Sequence, residues 1–281
     1  MKFNFSLLVA LGLSFYSCSS SDDHHAPAIQ PQLPAQGQNR VATILHKGAL
    51  TNVYDWELTY DAYRLTHAKG VLIGETQNAY SSVFSYSPTG VSISNMKLVN
   101  DNFPMKMQAT MDNDGNIVQL TIDRDDYNFT YTDGRLTAWH KTVRNTSLGG
   151  EISQLSATLT YDAGNLVRIE CVKDYNAPTI ITLTPSELLN VNGLLPVALS
   201  AEIGCFGFES LYYGGMLGKP STHLPLSASV DDYRGESYDY QLTYAYAEDP
   251  VTGNVTLCNV TRSEFLTEAP ATVGSVNYGY K

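Results

Sequence analysis

Basic charge is scarce in this sequence: 17 Lys and Arg stand against 28 Asp and Glu over 281 residues, a formal charge of −11 at pH 7. Binding a phosphate backbone requires clustered cations, so a general nucleic-acid binder is excluded. Cysteine is scarce as well. Cys18 stands alone near the start, and Cys171, Cys205 and Cys258 follow at spacings that fit no zinc motif. Three body cysteines cannot complete a disulfide framework, which leaves one bridge or buried free thiols. No apolar run reaches the ~20 residues of a comfortable membrane-spanning helix.

Catalytic signatures are missing too. Gly214 to Lys219 fails as a phosphate loop, because Tyr213 stands where the first glycine is needed and Pro220 follows the lysine. There is no Gly-x-Ser-x-Gly elbow, and His46, His67, His140 and His223 are scattered without metal-ligand spacing. In Asp112-Asn113-Asp114-Gly115-Asn116 the glycine comes too early for a helix-loop-helix calcium site, and the segment reads as a turn. Asp231, Asp232, Glu236 and Asp239 read as a solvated acidic loop, and His24-His25 as part of a solvated tail. The sequence therefore predicts no enzyme, no catalytic residue, no metal and no cofactor.

What it does contain begins with an address. Lys2 precedes an apolar run from Phe3 to Tyr16, the pattern of a secretory signal, and the run ends at Ser17-Cys18. That ending resembles a bacterial lipoprotein signal, in which the Cys is lipidated and the chain cut before it; Phe15 departs from the usual Leu three residues before the Cys. The polar run Ser19-Ser20-Ser21-Asp22-Asp23 is similar to the surface-export signal of Bacteroidetes lipoproteins. The expected organisation is a signal peptide over 1–17, the lipidated Cys18 with a flexible tether over 18–41, and one β-rich domain over 42–281. Such a chain is anchored to a membrane rather than spanning it.

The body is rich in tyrosine, with 19 residues, and in turn residues. Tyr60-Asp61-Ala62-Tyr63-Arg64-Leu65, Tyr131-Thr132-Asp133-Gly134-Arg135-Leu136 and Tyr161-Asp162-Ala163-Gly164-Asn165-Leu166 each carry a Tyr, a turn signal and a Leu that restarts alternation. Looser copies begin at Tyr86 and Met111, and a stretched one runs from Tyr244 to Val255. This recurrence predicts an all-β, mainly antiparallel meander of hairpins forming a curved sheet or barrel-like body.

Tyr238, Tyr240, Leu242, Tyr244 and Tyr246 fall on one face of a strand, as do Trp56, Leu58 and Tyr60. Such faces suit either a sugar-stacking platform or a core wall, and the interleaved leucines favour the core. The pattern breaks from about Ile180 to Ser229. There Thr184-Pro185-Ser186-Glu187 reads as a helix start, predicting one short helix near 185–192. Tyr212 and Tyr213 lie in this irregular stretch, which is either an apolar plug under the sheet, the favoured reading, or part of a site. The candidate ligand-binding residues are thus Tyr212, Tyr213, Tyr238 and Tyr240.

With the lipoprotein start, the Tyr-turn-Leu hairpins and the Gly218 to Pro225 stretch (Gly-Lys-Pro-Ser-x-x-Leu-Pro), the chain resembles a Bacteroides lipoprotein family, a domain of unknown function described as porin-like in fold. The resemblance covers roughly Ala42 to Lys281. It implies an antiparallel β body outside the cytoplasm, and, since the family has no established activity, no catalytic residue can be carried over. A conducting porin is not expected, because lipid-facing apolar bands on strands of about ten residues are missing. The function expected is a lipid-anchored outer-membrane protein, surface-exposed or facing the periplasm, that binds a glycan or another envelope protein. The alternatives are an envelope or polysaccharide hydrolase and a structural scaffold of an outer-membrane assembly.

Overall fold

The structure is a computed structural model, and it describes residues 40–48, 50, 53–62, 64–73, 79–97, 105–122, 125–145, 150–173, 176–196, 208–265 and 271–281. The signal segment, Cys18, His24-His25, nearly all of the tether, and Cys205 lie outside the described residues. Sixteen strands follow one another: β1 (Val41–Gly48), β2 (Tyr54–Tyr60), β3 (Leu65–Leu72), β4 (Ala79–Ser87), β5 (Gly90–Lys97), β6 (Met105–Met111), β7 (Ile117–Ile122) and β8 (Asp125–Thr132) form the first half. The second half is β9 (Arg135–Asn145), β10 (Gly150–Asp162), β11 (Asn165–Lys173), β12 (Thr179–Leu189), β13 (His223–Asp231), β14 (Tyr240–Glu248), β15 (Val255–Glu264) and β16 (Thr272–Tyr280). A helix α1 (Phe208–Tyr213) lies between β12 and β13. Each strand pairs antiparallel with its sequence neighbours, and β1 pairs with β16 to close a barrel, with Ile44 opposite Tyr278 and His46 opposite Val276. Closure satisfies the ladder groups of β1 and β16, which an open sheet would leave as edges.

The turns that the sequence marks form hairpins, and these lie at one end of the barrel. At two of them both central residues have positive φ: Asp133 (53°) with Gly134 (75°), and Ala163 (45°) with Gly164 (81°). That is the hairpin-favouring turn whose twist matches the strands. The tyrosines at these strand ends have a shared role. The hydroxyl of Tyr60 donates to Val41 O at 3.1 Å, Tyr86 to Leu65 O at 2.9 Å, and Tyr131 to Ile117 O at 2.7 Å. Tyr280 does the same to Val255 O. In every case the acceptor is the first residue of the preceding strand, so each Tyr clasps one turn to the next around the rim. Arg40, Arg64 and Arg135 lie over the rings of Tyr60, Tyr86 and Tyr161 at 5.4, 4.8 and 5.7 Å, a second recurring contact.

The core sits inside the barrel. Trp56, Leu58, Phe84, Ile93, Leu120, Phe129, Trp139, Ile169, Ile181 and Val260 all point inward and are buried. On β14, Tyr240, Leu242 and Tyr244 are buried while Gln241, Thr243 and Ala245 are exposed, as the alternation requires. The outer wall is mainly polar, with Glu57, Thr59, Lys69, Lys106, Gln108, Thr158, Thr160, Thr182 and Asn259 exposed on it, and Leu45, Val83, Leu226 and Val273 scattered singly among them. Glu57 and Lys69 pair across strands at 3.4 Å. A membrane barrel has the reverse polarity, apolar outside and polar within, and a Lys or Arg on its lipid face costs ~2–4 kcal/mol at mid-depth. The described wall of this barrel therefore suits water, and its interior is packed rather than open.

One expectation is corrected. Residues 185–189 are not helical: β12 runs through to Leu189, with register shifts at Pro185 and again before Leu189. Pro185 stands opposite Pro225, so two residues without an N–H face each other where the ladder lacks donors. The Ser186 hydroxyl, rather than capping a helix, donates to Leu224 O and accepts from Leu188 N. The short helix lies some twenty residues further on, as α1.

Residues 190–196 and 208–222 plug the turn end. Asn190 and Asn192 are buried and tie the first segment in: Asn190 Nδ2 donates to Leu194 O, and Asn192 Nδ2 to Asn254 Oδ1. Beyond α1 the chain passes beneath three turns, where Met216 O accepts from Ile117 N, Lys219 N donates to Gly134 O, and Thr222 N donates to Gly164 O. The chain also enters at this end, with Arg40 and Lys281 exchanging backbone hydrogen bonds.

Candidate functional site

The four candidate tyrosines divide between opposite ends of the barrel. Tyr212 and Tyr213 lie on α1, inside the plug, with rings edge-to-face at 5.4 Å. The Tyr212 hydroxyl donates to Leu194 O, and the Tyr213 hydroxyl accepts from Leu195 N. Burial pushes both hydroxyls well above the ordinary phenol range. Tyr240 is buried beneath the Arg262 guanidinium, 3.6 Å from its ring centre. Tyr238 is 46% exposed, in a single 3-10 turn (Glu236–Tyr238) of the β13–β14 connection.

That connection, at the end away from the plug, is held by a compact network. The buried Asp232 accepts from Arg234 Nε at 2.8 Å and from a terminal guanidinium nitrogen at 2.9 Å, and its own N–H donates to Asp239 Oδ1. The hydrogen bonds from Arg234 outweigh burial and hold the Asp232 carboxyl below the usual carboxylate range. The guanidinium so fixed lies 4.2 Å from the Tyr238 ring centre and 5.9 Å from that of Tyr233, which is 39% exposed. Phe265 is exposed too, and its N–H donates to Asp239 O. Two exposed rings flanking a pinned cation make a rigid surface for stacking and bidentate hydrogen bonding. Sequence reasoning singled out Tyr238 here but missed Arg234, whose partner lies only two residues away at Asp232.

At the plug end the barrel holds a cavity of about 50 Å³ between α1 and the wall. Leu136 and Trp139 of β9, Leu159 of β10, Leu166 of β11, Phe208 of α1 and Leu217 supply apolar lining. Phe208 is held by edge-on contacts to Tyr127, Phe129 and Trp139 at 5.2, 5.3 and 5.6 Å. Glu209, only 5% exposed, lines this cavity and also a smaller one of about 20 Å³ beside His46, Trp56, Tyr213 and Tyr278. His46 Nδ1 stands 3.3 Å from Asp55 Oδ1, which also accepts from the His46 N–H at 2.7 Å. Burial raises the Asp55 carboxyl, but these bonds more than reverse the effect and leave it below its ordinary value. Neither His46 nor Glu209 was marked by any motif, because partners contributed by separate elements leave no local spacing. Among the described residues no three His, Cys, Asp or Glu side chains gather to hold a metal. Cys171 and Cys258 are both buried, and burial pushes the Cys258 thiol up to about 12.

The family model described as a domain of unknown function (DUF4595) with porin-like fold matches residues 59–256. The chain belongs to this family. A porin-like protein from Bacteroides uniformis, known from its crystal structure, has the same fold, with a TM-score of 0.67 and 17% identity over 87% of this chain and 98% of the other. A Tc holotoxin pore from Photorhabdus luminescens aligns at a TM-score of 0.26 and 15% identity, over 75% of this chain and 13% of that one, too low to bear on the fold. No curated protein matches. The family's porin-like barrel is present here with a packed interior and a polar wall, and membership brings no activity or ligand with it.

Proposed function

We propose that this member of the porin-like family is a lipid-anchored, non-enzymatic binding module of the cell envelope, held to the outer membrane through Cys18 and engaging an envelope or dietary glycan. The observation that carries the reading is the Tyr233–Arg234–Tyr238 surface. It is rigid before any ligand arrives, so little ordering entropy is lost on binding. Its rings suit the C–H faces of sugars, and its guanidinium suits their hydroxyls or carboxylates. Its position supports the reading: the chain enters the barrel at Arg40, at the plug end, so a tether preceding Arg40 leaves the β13–β14 connection at the far end, away from the membrane. The packed interior argues against a conduit.

Glycan arrays probed with the full chain test this, with Tyr238→Ala and Arg234→Ala as variants. Saturable binding to a glycan class that both variants weaken at least fivefold is expected. Absence of glycan binding, or binding that both variants leave unchanged, overturns it. Palmitate labelling of the wild type and of Cys18→Ala tests the anchor separately, and labelling that persists in the variant removes Cys18 from the reading.

A further inference from the structure

We infer that the plug-end cavity is a second binding site, one for a small apolar carboxylate of about one aromatic ring, such as an arylacetate. At ~10–15 Å³ per water-sized position, its volume of about 50 Å³ holds roughly four waters. At the ~30 Å³ each takes in the liquid, that is the space of one six-membered ring. The lining is leucine, tryptophan and phenylalanine, which gives water little to bond and a hydrocarbon ring a favourable transfer.

Charge fixes the orientation. Lys219 lines the cavity, its side chain is exposed, and its Nζ has a carbonyl, Asp133 O at 3.5 Å, as its hydrogen-bond partner. Among the described residues no carboxylate lies within ion-pair distance of it. Arg135 adds a second cation on the same side, bonded to Pro220 O and lying over Tyr161, two residues that also line the cavity. Glu209 stands at the inner side, where the larger cavity approaches the smaller one. An anionic head is therefore drawn to the rim, where it stays partly hydrated and avoids the penalty of full burial. A cationic amphiphile meets two like charges at the rim and has to bury its own charge to go deeper. This site is separate from the β13–β14 surface, at the other end of the barrel.

The test is ¹⁹F NMR of 4-fluorophenylacetate titrated with the full chain, with toluene and phenethylamine as competitors. The expected result is saturable binding displaced by toluene and not by phenethylamine. Lys219→Met, at an exposed position, is expected to weaken 4-fluorophenylacetate about three- to fivefold and leave toluene unchanged. Leu166→Phe, which fills the cavity, is expected to abolish both, with circular dichroism confirming that it folds. Absence of saturable binding of both ring compounds, phenethylamine binding more tightly than the acid, or an equal loss of acid and toluene in Lys219→Met overturns the inference.

Discussion

Replacing Phe208 by alanine tests whether the plug is part of the cooperative core or a filling laid into a barrel that stands without it. Phe208 is 6% exposed, and its ring meets three aromatic edges from β8 and β9. A buried Phe→Ala change costs ~3–5 kcal/mol from lost transfer energy and the cavity left behind. The upper half of that range is expected here, because each favourable ring pair adds ~0.5–1.5 kcal/mol beyond area burial. The new void also joins a cavity that already borders the residue, so collapse around it is limited. Against a domain stability of ~5–15 kcal/mol this is a large fraction. Equilibrium urea unfolding followed by Trp fluorescence measures it, since Trp139 is one of the three partners. Phe265→Ala, at a 56% exposed ring, is the control and is expected to stay within ~0.5 kcal/mol. A loss below ~1 kcal/mol for Phe208→Ala, or one equal to the control, refutes the placement of the plug in the core.

Three further outcomes follow from the rim, the turns and the far-end loop. Tyr131→Phe leaves Ile117 O without its hydroxyl donor and is expected to cost ~1–2 kcal/mol in thermal unfolding, whereas Tyr238→Phe at the exposed site costs nothing measurable. Ala163 holds a left-handed conformation that an L-residue with a Cβ resists, so Ala163→Asn, forming Asn-Gly in the same turn, is expected to gain ~0.5–1 kcal/mol; a lower Tm argues against that strain. Because Arg234 holds the Asp232 carboxyl below its unfolded value of ~3.9, their pairing contributes fully above that pH and is lost as pH falls through the lower folded value. Amide protection factors in residues 232–239, taken relative to the intrinsic exchange rate at each pH, should therefore fall below about pH 4 in the wild type, and Asp232→Asn should abolish that fall while lowering protection at neutral pH.

The sequence by itself determined the class of structure. Alternation along Tyr240 to Tyr244 sets which side chains face inward, whereas Tyr238, read on the same face, lies exposed in a 3-10 turn before the strand; Asp133-Gly134 and Ala163-Gly164 mark reversals, because these depend only on neighbours a few residues apart. The apolar plug was legible for the same reason, as a stretch where alternation stops. Tertiary structure decided the rest. Closure rests on β1 meeting β16, two strands from opposite ends of the chain, and no local pattern tells a closed barrel from an open sheet. The same non-local geometry gives the tyrosines their purpose: the acceptor of each rim hydroxyl is a carbonyl 14 to 25 residues away, so a repeated Tyr was visible and its clasp was not. At Pro185 local reasoning failed outright, since an N-cap signature yields once Pro225 and Leu224 are present to pair with that segment. The candidate sites show the same division. Tyr238 could be named from the alternation although it lies in a 3-10 turn, and Arg234 meets Asp232 and Tyr238 within a single connection, whereas Lys219 and Glu209 come to line one cavity only when the plug packs against the closed wall.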